Sequence, residues 1–201
     1  MRSFFFKYRG LFFVPVAIAL LLFGRPTLVS YLVGLAVAVV GELIRVWGVG
    51  YAGATTRKDC VDAPFLVTGG PFAIVRNPLY IGNAVTGLGF VVAASGEAGA
   101  VTASVFLALW ALCYFGVYGM IIPYEEEFLR KTFGKPYVDY CSKVNRIVPN
   151  FKRYPNPQGS FDPGAIMHAE IRTIVQFVAF AAVMGMKIAP FGILAGRLFF
   201  S

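Results

Sequence analysis

Apolar residues dominate this chain in runs too continuous for the one-sided stripe of an ordinary surface helix. Such runs occupy Leu11–Phe23, Thr27–Gly50, Pro78–Ala94 and Ala98–Ile122. A fifth begins near Ile171 and reaches Met186, and its continuation, Ile188–Phe200, is broken by Lys187 and Pro190. A membrane-crossing helix wants about 20 apolar residues. Lipid admits only helices or closed barrels, so the pattern predicts an all-α, polytopic bundle of about five membrane helices. We read residues 1–201 as a single domain, without internal repeats. The first run is short and follows Arg2, Lys7 and Arg9, as a secretory signal would. "GRPT" follows it in place of a small-residue cleavage site, which predicts a retained span.

Between the runs the pattern changes. Leu129, Phe133, Tyr137, Tyr140 and Val144 recur at spacings of four and three, the mark of an amphipathic segment. Gly134 is placed to close one short helix and Pro136 to open the next. "TGGPFAIVRNPLY", Thr68–Tyr80, reads as a turn followed by a helix start. Pro78 suits the first helical turn, where its missing N–H costs nothing, and Asn77 is placed as the N-cap.

Composition fits the membrane reading: 58% of the 201 residues are hydrophobic and only 14% charged. The net charge of +8 follows topology rather than a nucleic-acid surface. Basic residues precede the first run, lie between the second and third (Arg57, Lys58, Arg76) and follow the fourth, from Arg130 to Arg172. The opposite side holds Arg25 and Glu97 in short loops. The positive-inside rule then puts the N-terminus and two polar regions, Tyr51–Pro78 and Pro123–Pro163, in the cytosol. Membrane lipids are the expected neighbours, and nucleic acid is not a partner.

Cys60, Cys113 and Cys141 have no metal-like spacing and read as free thiols, with Cys60 and Cys141 on the reducing side. His168 is the only histidine, which leaves little for Ser-His-Asp catalysis or a histidine metal site, and no metal is expected.

The candidate chemistry therefore sits in the two cytosolic regions. Arg76 stands beside the positive end of a helix, an unfavourable place for a cation unless an anion joins it. That anion is either a lipid phosphate or a ligand carboxylate or phosphate. Glu126 and Glu127 have Arg130 and Lys131 four residues on, a solvated pairing. Glu125 has Leu129 there instead and shares the apolar face. A carboxylate turned into the bundle needs a cation, and a ligand is a candidate. Glu42 and Arg45, three apart, read as a self-neutralising structural pair ahead of a site role. "TGLGF", Thr86–Phe90, lacks the strand and third glycine of a dinucleotide loop and reads as helix packing through small residues.

"GGPFAIVRNPLYIGN", followed about 40 residues later by "EEEFLRKTFGKPYVDYCSKVNRIVP", resembles the isoprenylcysteine carboxyl methyltransferase superfamily, which includes phospholipid methyltransferases. "GELIRVWGVGYAG" resembles the segment before the first motif, so the likeness covers about residues 41–149 and leaves 150–201 as an extension with an extra membrane helix. The resemblance implies an integral-membrane enzyme that moves a methyl group from S-adenosylmethionine, bound at the cytosolic membrane surface, to a lipophilic acceptor. Residue by residue, it implies a cofactor site made by Arg76, Asn77, Pro78, Tyr80, Gly82, the paired Glu125 and Glu126, and Tyr137 and Tyr140. Arg146 matches the family's late arginine. Glu125 and Arg146 are the residues assigned to the reacting centre, Glu125 opposite the cofactor ammonium and Arg146 toward the acceptor or the closure of the site. For Glu126 the resemblance implies the site, whereas its helical pairing implies solvent. The prenylcysteine branch carries an arginine where Ile121 stands, which counts against a prenylcysteine carboxylate as acceptor and leaves a lipid amine, a thiol or another apolar acceptor open. Two other classes compete: an NADPH-dependent sterol-reductase-like enzyme, and a non-catalytic transporter or scaffold.

Overall fold

In the computed structural model, residues 2–53 and 63–188 are described. They form helices and loops, with no strand among the described residues. Arg57, Lys58, Cys60 and the run over 189–200 lie outside them.

A short helix α1 (Arg2–Lys7) and a single turn at Leu11–Phe13 lead into α2 (Val14–Phe23). Helix α3 (Leu28–Ala52) opens on a capping box: Thr27 Oγ1 accepts from the Ser30 N–H at 3.1 Å, and Ser30 Oγ accepts from the Thr27 N–H at 3.0 Å. After a polar connection come α4 (Pro78–Ala94) and α5 (Gly99–Phe133). A short α6 (Lys135–Lys143) and then α7 (Pro163–Met186) complete the described chain. Helices α3, α5 and α7 (from Ala169) are long and apolar enough to cross a membrane, while Leu11–Phe23 and α4 are shorter apolar helices.

The α3–α4 pair makes the most extensive helix contact, and small residues permit it. A Cβ on Gly89 would lie 2.4 Å from the Ala38 nitrogen, and one on Gly41 would lie 2.4 Å from that of Thr86. "TGLGF" is thus a packing motif, as its sequence suggests. At the far end of the bundle, Lys187 Nζ donates to the Leu21 carbonyl at 2.7 Å and to that of Gly24, closing the C-terminus of α2 with α7.

The sequence pattern ends the fourth span at Ile122, but the helix runs on through Pro123 to Phe133. A proline forfeits one backbone bond, and the turns on either side carry the helix past it. At 35 residues α5 is about 52 Å long, against about 30 Å of hydrocarbon, so its last turns project beyond the membrane. Those turns carry Glu125, Glu126 and Glu127. Gly134, at φ +57°, ends α5 where predicted, and Pro136 lies in the first turn of α6. Helix α7 starts eight residues before the fifth run, at an Asp-Pro pair: Asp162 Oδ1 accepts from the Gly164 N–H at 2.8 Å.

Candidate functional site

Two stretches of loop are zipped together by backbone hydrogen bonds beside the projecting end of α5. The Thr68 and Gly69 N–H groups donate to the Gln158 carbonyl at 3.1 and 2.8 Å, Tyr154 N–H to Ala73, and Asn150 N–H to Ile74. Arg76 N–H donates to the Asn145 carbonyl at 2.9 Å. The turn between them depends on Gly70: its φ is +56°, and a Cβ there would sit 2.4 Å from the Tyr51 ring. This clamp fixes Arg76 and Arg146 over the same point on α5.

That point is Glu126. The residue is 6% exposed, and its carboxylate accepts from Arg76 Nε at 3.1 Å and Nη2 at 2.9 Å, and from Arg146 Nη2 at 2.5 Å and Nε at 3.1 Å. Arg76 Nη1 also donates to the Cys141 and Val144 carbonyls, at 3.1 and 2.8 Å. Two readings are corrected here. Glu126 is not a solvated partner of Arg130, because α5 turns it inward, where a guanidinium on each side offsets its desolvation. The anion beside Arg76 is Glu126 itself. The hydrogen bonds that the half-exposed Arg146 donates to Glu126 raise its guanidinium pKa above the usual arginine value.

Asn77 occupies the N-cap position of α4 but does not cap with its side chain. Its Nδ2 donates instead to the Arg146 carbonyl at 3.0 Å, tying the two loops together. Glu127 pairs with Lys131 at 2.6 Å on the exposed face, as helical spacing predicts.

A cleft opens between α3, α4, α5, α6 and the 63–67 segment. Glu125 and Tyr80 both face it. Pro78 and Asn77 bring the start of α4 to its wall. Tyr137, 1% exposed, and Tyr140, whose hydroxyl donates to the Phe72 carbonyl at 2.7 Å, line the α6 side. Burial holds both hydroxyls well above their usual pKa, so both rings are neutral. Gly82 stands apart from the cleft wall. It packs on α3, where a Cβ would come within 2.8 Å of the Gly41 carbonyl and 2.5 Å of Arg45. Its role is helix approach.

The pairing of Glu42 with Arg45, at 3.4 Å, is only part of what Arg45 does. Arg45 Nη2 donates to both carboxylate oxygens of Glu170 on α7, at 2.9 and 2.8 Å, and Nη1 donates to Asn83 Oδ1. Asn83 Nδ2 in turn donates to the Tyr118 hydroxyl at 2.8 Å. Glu170, 1% exposed, was missed by the sequence reading, although a carboxylate at the head of an apolar run is itself a signal for a buried cation. Arg45, Asn83 and Glu170 all reach the cleft wall. Among the described residues, no group of three or more His, Cys, Asp or Glu side chains is placed to hold a metal ion.

A family model described as phospholipid methyltransferase matches residues 29–136. The chain is 34% identical over 125 residues to the probable protein-S-isoprenylcysteine O-methyltransferase of Oryza sativa subsp. indica, covering 60% of this chain and 61% of that protein. It is 30% identical over 122 residues to protein-S-isoprenylcysteine O-methyltransferase B of Arabidopsis thaliana, covering 58% and 57%. It is also 30% identical over 152 residues to the cobalt-zinc-cadmium resistance protein CzcN of Cupriavidus metallidurans, covering 70% and 62%. Each match thus spans about three-fifths of the relative's length. No solved structure matches the chain at a significant level.

Proposed function

Since the chain belongs to the phospholipid methyltransferase family, we propose that it binds S-adenosylmethionine in the cleft and methylates a lipophilic acceptor held in the membrane. The observation that carries this reading is the division of labour between two adjacent carboxylates. Glu126 is neutralised by Arg76 and Arg146, while Glu125 is turned to the cleft beside Tyr80.

The residues present fit the donor. Glu125 offers a carboxylate to its ammonium, and the open N–H groups at the start of α4 suit its carboxylate. Tyr80, Tyr137 and Phe72 offer aromatic faces to the sulfonium and adenine. When bound, the sulfonium supplies an electrophilic methyl: the acceptor's heteroatom bonds to carbon while the carbon–sulfur electron pair returns to sulfur. The protein's part is alignment, and no nucleophilic side chain is needed. Arg76 and Arg146 act as positioning residues, because their guanidiniums hold α4, α5 and the late loop around Glu126.

We place the cleft in the cytosol on the distribution of Lys and Arg. An impermeant thiol reagent applied from outside should label a cysteine introduced at Glu97 and miss Cys141, and the reverse labelling contradicts the orientation. The activity is tested by incubating purified protein with methyl-labelled S-adenosylmethionine and a total lipid extract. Label is expected in a lipid-soluble product. No transfer, together with NADPH consumption on the same extract, would favour the reductase reading, and neither reaction the scaffold.

A further inference from the structure

Behind the cleft lies a second cavity, walled by α2, α3, α4, α5 and α7. Its lining is graded. On α4, Asn83 and Thr86 come first and Phe90 lies deeper. On α7, Thr173 and Gln176 precede Phe177 and Phe180. On α5, which runs the other way, Tyr118 is at the polar end and Trp110 at the apolar one. The cavity's apolar end runs against the buried cluster of Leu20, Val91, Phe106 and Met184, on which Phe180 and Trp110 pack. From Asn83 to Phe90 is about 10 Å along the helix axis.

The polar end of this cavity meets the cleft. Arg45 and Asn83 line both. They are held there by a chain of hydrogen bonds from Glu170 through Arg45 and Asn83 to Tyr118. The anchor of that chain, Glu170, and the deep wall at Phe177 and Phe180 all belong to α7. The family match stops at residue 136, well before this helix.

We propose that the second cavity is a chamber for the hydrocarbon chain of the acceptor, with the acceptor's head at the Arg45–Asn83–Tyr118 neck. On this proposal α7 is a specificity element that sets the chain length accepted. The inference rests on the methyltransferase reading. Its physical basis is the gradient: an apolar floor favours a hydrocarbon, and the polar ring favours a head group where the two cavities meet. Phe180 marks where the chain must end. The Arg45–Glu170 pair keeps a buried arginine from collapsing across the neck.

Trp110 makes the chamber observable without any turnover. The chain has two tryptophans, so a Trp47→Phe background leaves Trp110 as reporter. Terminally brominated fatty alcohols of increasing length are titrated into the detergent-solubilised protein, bromine quenching the indole on contact. Saturable quenching with a length optimum is expected. Ala17→Phe, which fills the chamber, should weaken saturable quenching at least tenfold, and Phe180→Ala should move the optimum to longer chains. The two variants change the volume in opposite senses, so loss of folding cannot imitate both results. Quenching that rises linearly with probe, or the same optimum in all proteins, overturns the proposal. Saturable, length-selective quenching in a protein that transfers no methyl from labelled donor upholds the chamber and overturns the activity.

Discussion

Adjacent carboxylates with different surroundings carry the account at the scale of single residues. Glu126 is almost fully buried and shared between Arg76 and Arg146, whereas Glu127, one position on, meets Lys131 in water. Removing one partner of a buried ion pair strands the other charge, at a cost of about 3–5 kcal/mol. Glu126→Gln strands Arg76, whose side chain is only 12% exposed, so it should lower the thermal midpoint of the solubilised protein most. Arg146→Ala should cost about 1 kcal/mol, since that side chain is half exposed. Glu127→Gln should cost no more than about 1 kcal/mol. Equal shifts for Glu126→Gln and Glu127→Gln would show that Glu126 is not the hub.

At the scale of elements, the spans were legible because hydrocarbon-facing helices leave continuous apolar runs, and Gly134 and Pro136 marked a real boundary for a local steric reason. Continuity of α5 through Pro123 was not legible. A proline biases the chain against a helix interior, and only the packing of the surrounding turns decides whether the helix continues. The partners of Glu126 were hidden for another reason. Spacing along a helix reports only neighbours on that helix, and Arg76 lies 50 residues away in sequence. Asn77 illustrates the same limit: its position announced a cap, but the Arg146 carbonyl competes for its amide. Of the site residues named from the sequence, Arg76, Asn77, Pro78, Tyr80, Glu125, Glu126, Tyr137 and Tyr140 share the cleft wall, and Arg146 reaches it through Glu126. Gly82 belongs to the α3–α4 contact instead.

On the scale of the whole molecule, a clamp of loops and ion pairs outside the hydrocarbon surrounds one cleft, and a helical bundle below surrounds a second cavity that meets it at Arg45 and Asn83. The arrangement suits a reaction whose two substrates come from different phases, one from water and one from lipid. The water-soluble partner is the central claim, and calorimetric titration of S-adenosylhomocysteine into the solubilised protein tests it most directly. Wild-type protein should bind, and Glu125→Gln, which keeps the shape but removes the charge opposite the ligand ammonium, should bind roughly tenfold or more weakly, for a charge-assisted contact of about 1.5–3 kcal/mol. No heat with the wild-type protein, or the same affinity in Glu125→Gln as in wild type, would contradict the account.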